Sequence, residues 1–143
     1  VDGGCDALLK TKAIIVYVCN VMTQPCETEG YSLSDHIKAI EKHSQKGIID
    51  FCIANTASIP DELKDRYRQD GAELVAVDYE VVQKMGIEVI TGDFKAVYNN
   101  YVRHDPNKLA KKIIELVSDL VLSKDKERLL DYYYSRDKIN KIG

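Results

Sequence analysis

Ala13-Ile14-Ile15-Val16-Tyr17-Val18-Cys19-Asn20 is an unbroken apolar run that ends on an amide side chain. It is too short for an ordinary helix and rich in β-branched residues. It does not alternate, so it reads as a strand buried on both faces, the signature of a parallel sheet. Ile48-Ile49-Asp50-Phe51-Cys52-Ile53-Ala54 repeats the pattern, broken only at Asp50. Leu74–Val77 and Ile87–Ile90 are shorter third and fourth candidate strands.

Helical segments separate these runs. Ser32 with Asp35 three residues on resembles a capping box, and Gly47 stops that helix. Pro60 opens the next helix near its first turn and Gly71 ends it. Asp78 is placed to cap a short helix that Gly86 closes. Asp105-Pro106 reads as a cap followed by a first-turn proline. Beyond it Leu109, Ala110, Ile113, Ile114, Val117, Leu120 and Val121 recur at helical spacing. The charged stretch from Ser123, with Leu129, Leu130 and Tyr132-Tyr133-Tyr134 inside it, reads as a further helix. Strand alternating with helix predicts an α/β fold: a parallel, Rossmann-like three-layer sheet of about four strands with helices on both faces. Residues 1–122 are assigned to that domain and 123–143 to a helical tail.

At 143 residues the chain is one domain's worth. Its net charge of −3 provides no basic excess for nonspecific nucleic-acid binding. No apolar run approaches the roughly 18 residues of a membrane span. Cys5, Cys19, Cys26 and Cys52 form no C-x-x-C pair. Without a secretory signal they are expected as free thiols in the cytoplasm.

In parallel sheets ligands bind beyond the carboxyl ends of the strands. That rule singles out Asn20 to Thr28, Asn55 to Ser58, Asp78, and Thr91 to Phe94. The segment from Asn20 to Tyr31 is the richest. It reads either as a functional loop or as a plain polar connection turned at Pro25 and Gly30. Asn55 is either a ligand contact or a turn residue beside a capping Ser58. Arg103 carries a planar fork suited to phosphate, carboxylate or a base edge. His104 is either an acid–base group or structural, and Asp105 is either a ligand contact or the helix cap. His36 and His43, seven positions apart, are too far along one helix to chelate a metal unaided, so no metal site is expected. No G-x-G-x-x-G, G-x-x-x-x-G-K-[ST] or G-x-S-x-G motif occurs.

The segment Cys19-Asn20-Val21-Met22-Thr23-Gln24-Pro25-Cys26, with Ile53-Ala54-Asn55-Thr56 and Tyr98-Asn99-Asn100-Tyr101-Val102-Arg103-His104-Asp105, resembles the YvcK family of gluconeogenesis factors. That family is similar to CofD, the 2-phospho-lactate transferase of deazaflavin cofactor synthesis. The resemblance runs from about Ala7 to Val121. The family usually carries Gly where this chain has Cys26. Its members also begin with a strand and a Gly-rich phosphate turn that this chain lacks. The chain is therefore expected to be the C-terminal part of a longer member, with its sheet incomplete and prone to self-association.

The resemblance implies a regulatory protein that binds a nucleotide sugar of the UDP-N-acetylglucosamine type. Its role would link cell-wall precursor supply, cell shape and gluconeogenic growth, with no required cofactor. Carried over residue by residue, Asn20, Thr23, Gln24 and Asn55 line the crevice, with Arg103 and His104 beside them. Tyr67 offers a ring to stack on the base and, like Arg103, is expected outside the core. The alternative is a CofD-like transferase moving a phospholactyl group from a guanylylated donor to a deazaflavin precursor. The loops supply Glu27, Glu29, Asp93 and Asp105 but no tight carboxylate pair at a strand end, and no catalytic residue is assigned.

Overall fold

Phe51 sits between Val16 on one side and Glu88 on the other. These pairs open a three-stranded parallel sheet of β1 (Val16–Val18), β2 (Phe51–Asn55) and β3 (Glu88–Gly92). Its order is β1-β2-β3. The structure, a computed structural model, describes residues 13–142, without the side chains at 125, 128, 129 and 132–142. Gly3, Gly4, Cys5 and the side chains of Tyr132, Tyr133 and Tyr134 lie outside the described residues.

The α/β class and parallel pairing are as expected, but among the described residues the sheet has three strands rather than four. Leu74 makes one antiparallel bridge, to Met22. The polar groups that follow are spent elsewhere. Val75 N–H donates to the Val21 carbonyl at 3.0 Å, and the Ala76 carbonyl accepts the Leu33 N–H at 2.8 Å. That segment braces a loop and a helix start instead of extending a ladder. Asp50, the break in the second apolar run, accepts the Ile15 N–H at 2.9 Å and so ties the two strand starts together.

Among the described residues four helices follow the punctuation in the sequence: α1 (Leu33–His43), α2 (Asp61–Gln69), α3 (Tyr79–Lys84) and α4 (Pro106–Ile142). The capping box at α1 is complete, with Ser32 N–H on Asp35 Oδ2 at 3.0 Å and Asp35 N–H on Ser32 Oγ at 3.3 Å. Asp78 differs from expectation. It occupies the cap position of α3, where its carbonyl accepts the Val82 N–H at 3.3 Å, but its side chain makes no bond to that helix. Its carboxylate instead reaches α1, 44 positions away in sequence, where it accepts from the Ser34 N–H at 2.9 Å and from the Ser34 and Ser32 hydroxyls.

The main core packs Leu33 and Ile37 of α1 and Val82 of α3 against Cys52, Ala54 and Val89 of the sheet. Cys52 and Ala54 are two apart and share a sheet face. A second cluster joins Val21, Met22 and Ile59 to Leu63 of α2, with Tyr67, Leu74 and Val102 packed against it. Tyr67 is half-buried and packs against this cluster without being one of its buried members.

The element with no counterpart among the expected ones is an antiparallel hairpin, β4 (Lys95–Tyr98) and β5 (Tyr101–His104). Its turn residues Asn99 and Asn100 have φ of +50° and +62°. Both are positive, as a two-residue type I′ turn requires, and Asn tolerates that region best among non-glycine residues.

The described residues fall into two compact units, one ending at Asp105 and one starting at Pro106. The second is α4, a single helix that runs without a break through Ser123, where the sequence reading starts a separate helix. No described helix is long and apolar enough to cross a membrane.

Candidate nucleotide groove

A groove of about 580 Å³ lies in the first unit, at the carboxyl end of β1. Three separated segments line it: Asn20 to Pro25 after β1, Tyr67 on α2, and Val102, Arg103 and His104 on β5. Six of the seven residues singled out from sequence thus meet in one place. No aspartate or glutamate is among the lining residues, so Arg103 gives the groove a positive bias.

The loop after β1 is held by bonds to Glu73 and by a turn closed on Thr28. Thr23 is 3% exposed; it donates its N–H to the Glu73 carbonyl at 2.8 Å, and its hydroxyl accepts the Glu73 N–H at 3.0 Å. Thr23 is thus the loop's anchor, with only its hydroxyl proton left to give. Gln24 N–H donates to Thr28 Oγ1 at 2.8 Å, and the Gln24 carbonyl accepts the Thr28 N–H at 3.0 Å. Inside this turn Cys26 has φ +65°. A non-glycine residue there costs roughly 1–2 kcal/mol. Asn20 and the Gln24 side chain are exposed to the groove.

Tyr67 forms one wall. Its Oη accepts the Val102 N–H at 2.8 Å. Its ring lies against the second apolar cluster. His104 is half-buried and its Nε2 lies 2.9 Å from the Cys19 carbonyl. A carbonyl only accepts, so Nε2–H is the donor. Arg103 is exposed, and its guanidinium has no hydrogen-bond or ion-pair partner among the described residues.

Asn55 is the exception, since it does not line the groove. Its Nδ2 donates to the Ala57 carbonyl at 3.0 Å and its Oδ1 accepts the Phe94 N–H at 3.0 Å. Nδ2 closes a local turn at the β2 exit and Oδ1 latches that exit to the turn between β3 and β4, which is the turn reading left open in the sequence. Thr56 N–H on the Gly92 carbonyl at 3.0 Å completes that latch. His36 also has a structural bond, donating Nδ1–H to the Ser32 carbonyl at 2.8 Å and meeting the Tyr31 ring edge-on at 5.5 Å.

Sequence reasoning missed the hairpin that delivers Arg103. The available signal was the stretch from Lys95 to His104, two short β-prone segments around Asn99-Asn100.

Comparison with known proteins adds an independent line. Residues 1–95 match the family model described as 2-phospho-L-lactate transferase CofD. The chain is 40% identical over 114 residues to the gluconeogenesis factor of Bacillus subtilis, covering 80% of this chain and 36% of that protein. It is 37% identical over 134 residues to a relative from Clostridium acetobutylicum, 94% of this chain and 30% of that one. A crystal structure of a UPF0052-family protein from Bacillus halodurans superposes with a TM-score of 0.75 at 37% identity. That superposition covers 78% of this chain and 36% of the other. The chain spans about a third of the length of the curated relatives it matches. With its parallel sheet, its Asn20-Val21-Met22-Thr23-Gln24-Pro25 loop and these matches, the chain belongs to the CofD family, in its gluconeogenesis-factor (YvcK) branch.

Proposed function

We propose that the groove is part of a nucleotide-sugar site, with UDP-N-acetylglucosamine the leading ligand, in a regulatory protein. That protein would couple cell-wall precursor supply to cell shape and gluconeogenic growth. One observation carries the reading. An unpartnered guanidinium, exposed amides and an aromatic wall, drawn from three chain segments, meet at the carboxyl end of a parallel strand. That is where α/β folds hold nucleotides. A volume of about 580 Å³ falls within the range of small-molecule sites.

The roles follow from the chemistry of the groups. Arg103 forms paired hydrogen bonds to a phosphate or a base edge. Asn20 and Gln24 each present a donor and an acceptor to base or sugar. The Tyr67 ring offers a flat apolar wall, and stacking of a base on an aromatic is worth about 1–3 kcal/mol.

Calorimetric titration of the full-length protein with UDP-N-acetylglucosamine tests this. Saturable binding that weakens about tenfold or more in Arg103→Ala supports the site. Absence of binding refutes it. Turnover of a guanylylated phospholactate with a deazaflavin precursor would favour the transferase reading instead.

A further inference from the structure

Arg103 is flanked in β5 by two residues whose hydrogen bonds tie that strand to the rest of its unit, beside the Tyr101 ring, which carries the Arg66 guanidinium of α2 at 5.3 Å. On one side the Val102 N–H reaches Tyr67 Oη on α2. On the other the His104 Nε2–H reaches the Cys19 carbonyl at the end of β1. Among the described strands β5 pairs with β4 alone. Its outer edge therefore has no ladder to fix it, and a two-stranded hairpin is marginal by itself. Because the guanidinium has no partner of its own, the strand backbone is what fixes the point from which it extends. One tie runs to the Tyr67 wall of the groove and the other to Cys19, the residue next to the lining Asn20, so together they hold β5 at two points beside the groove.

We propose that the Tyr67 hydroxyl and the His104 imidazole are positioning residues that hold β5 so that Arg103 faces the groove. They raise affinity for an anionic nucleotide through preorganisation, because a guanidinium on an untethered hairpin must be ordered when ligand arrives. This rests on the reading of the groove as a nucleotide-sugar site and adds the means by which its cation is aimed. Tyr67→Phe keeps the ring wall and removes only the acceptor. His104→Ala removes the donor, and His104→Gln keeps an N–H at similar reach.

The test is a double-mutant cycle on the full-length protein, titrated with UDP-N-acetylglucosamine. Tyr67→Phe and His104→Ala should each weaken binding about five- to tenfold, and His104→Gln should recover most of the loss. In an Arg103→Ala background the same substitutions should change affinity by less than about twofold, because the group they position is gone. A merely structural role, or direct ligand contact, would leave their effects undiminished in that background. Full effects there, or none in the Arg103 protein, overturn the positioning role while leaving the site intact. No binding by the unsubstituted protein overturns both. If Tyr67→Phe fails to fold, the His104 pair completes the same cycle.

Discussion

Ser34 and Asp78 are joined twice at the N-terminus of α1: the Ser34 N–H donates to Asp78 Oδ1 at 2.9 Å, and the Ser34 hydroxyl donates to Oδ2. A carboxylate imported from a distant segment thus satisfies one of the helix's orphan donors and opposes the positive end of its dipole. Burial pushes the Asp78 carboxyl up, but the Ser34 hydroxyl and N–H and the Ser32 hydroxyl outweigh it and hold it below its ordinary range.

Asp78→Asn should therefore destabilise the protein by about 1–2 kcal/mol at pH 7, measured by urea unfolding. The sign of the pH dependence follows. A carboxyl whose folded value is depressed contributes fully above its unfolded value of about 3.9, and the contribution vanishes as pH falls through the folded value. The gap between the wild type and Asp78→Asn should be constant from pH 7 to about 5 and close below about 4. An unchanged gap in acid would show that the carboxylate's charge is not what matters.

Cys26 at φ +65° is exposed in the groove loop. Cys26→Gly should raise stability by about 0.5–1 kcal/mol, the relief of left-handed strain less the entropy of glycine in the unfolded chain. A thermal melt checks this; a lower melting temperature would mean the loop depends on the side chain.

The cysteines should also separate by reactivity. Burial pushes the Cys19 thiol up to about 11 and the Cys52 thiol up to about 12, and both are enclosed. In a Cys5→Ser background at pH 8, maleimide should modify Cys26 rapidly and leave Cys19 and Cys52 untouched until unfolding. Peptide mapping by mass spectrometry reads this directly.

Tyr67 separates packing from hydrogen bonding. Tyr67→Ala removes a ring set against Val21, Met22, Ile59 and Leu63 and should cost about 3 kcal/mol. Tyr67→Phe keeps that packing and should cost about 1 kcal/mol. Equal losses in chemical denaturation would mean that the hydroxyl alone matters.

The sheet and three helices of the first unit were legible because their signals are local. The runs ending at Cys19 and Ala54 carry no alternation, and Ser32 with Asp35 caps as its spacing suggests. The failures come from groups whose partners are remote in sequence. Asp78 looks like a cap for the helix beside it, but its partners are Ser32 and Ser34. Leu74–Val77 has the composition of a strand, yet the Ala76 carbonyl is committed to Leu33. The hairpin turn is built from Asn99-Asn100 rather than the usual Asn-Gly, so the turn signal was muted. For the groove, strand-end logic located the loop from Asn20 onward. The same logic left Asn55 open between ligand contact and turn residue, and its amide bonds Ala57 and Phe94.

The strand order β1-β2-β3 also has a topological consequence. Crevices in open α/β sheets form where the order reverses, so that successive connections leave in opposite directions and their loops part. Among the described residues the order advances in one direction only, with β1 at the edge. The groove lies at that edge, roofed on one side by an antiparallel hairpin. A reversal at β1 requires a strand on its outer side. Any such strand, and the loop that leaves it, is the element that turns this half-open groove into a two-sided crevice.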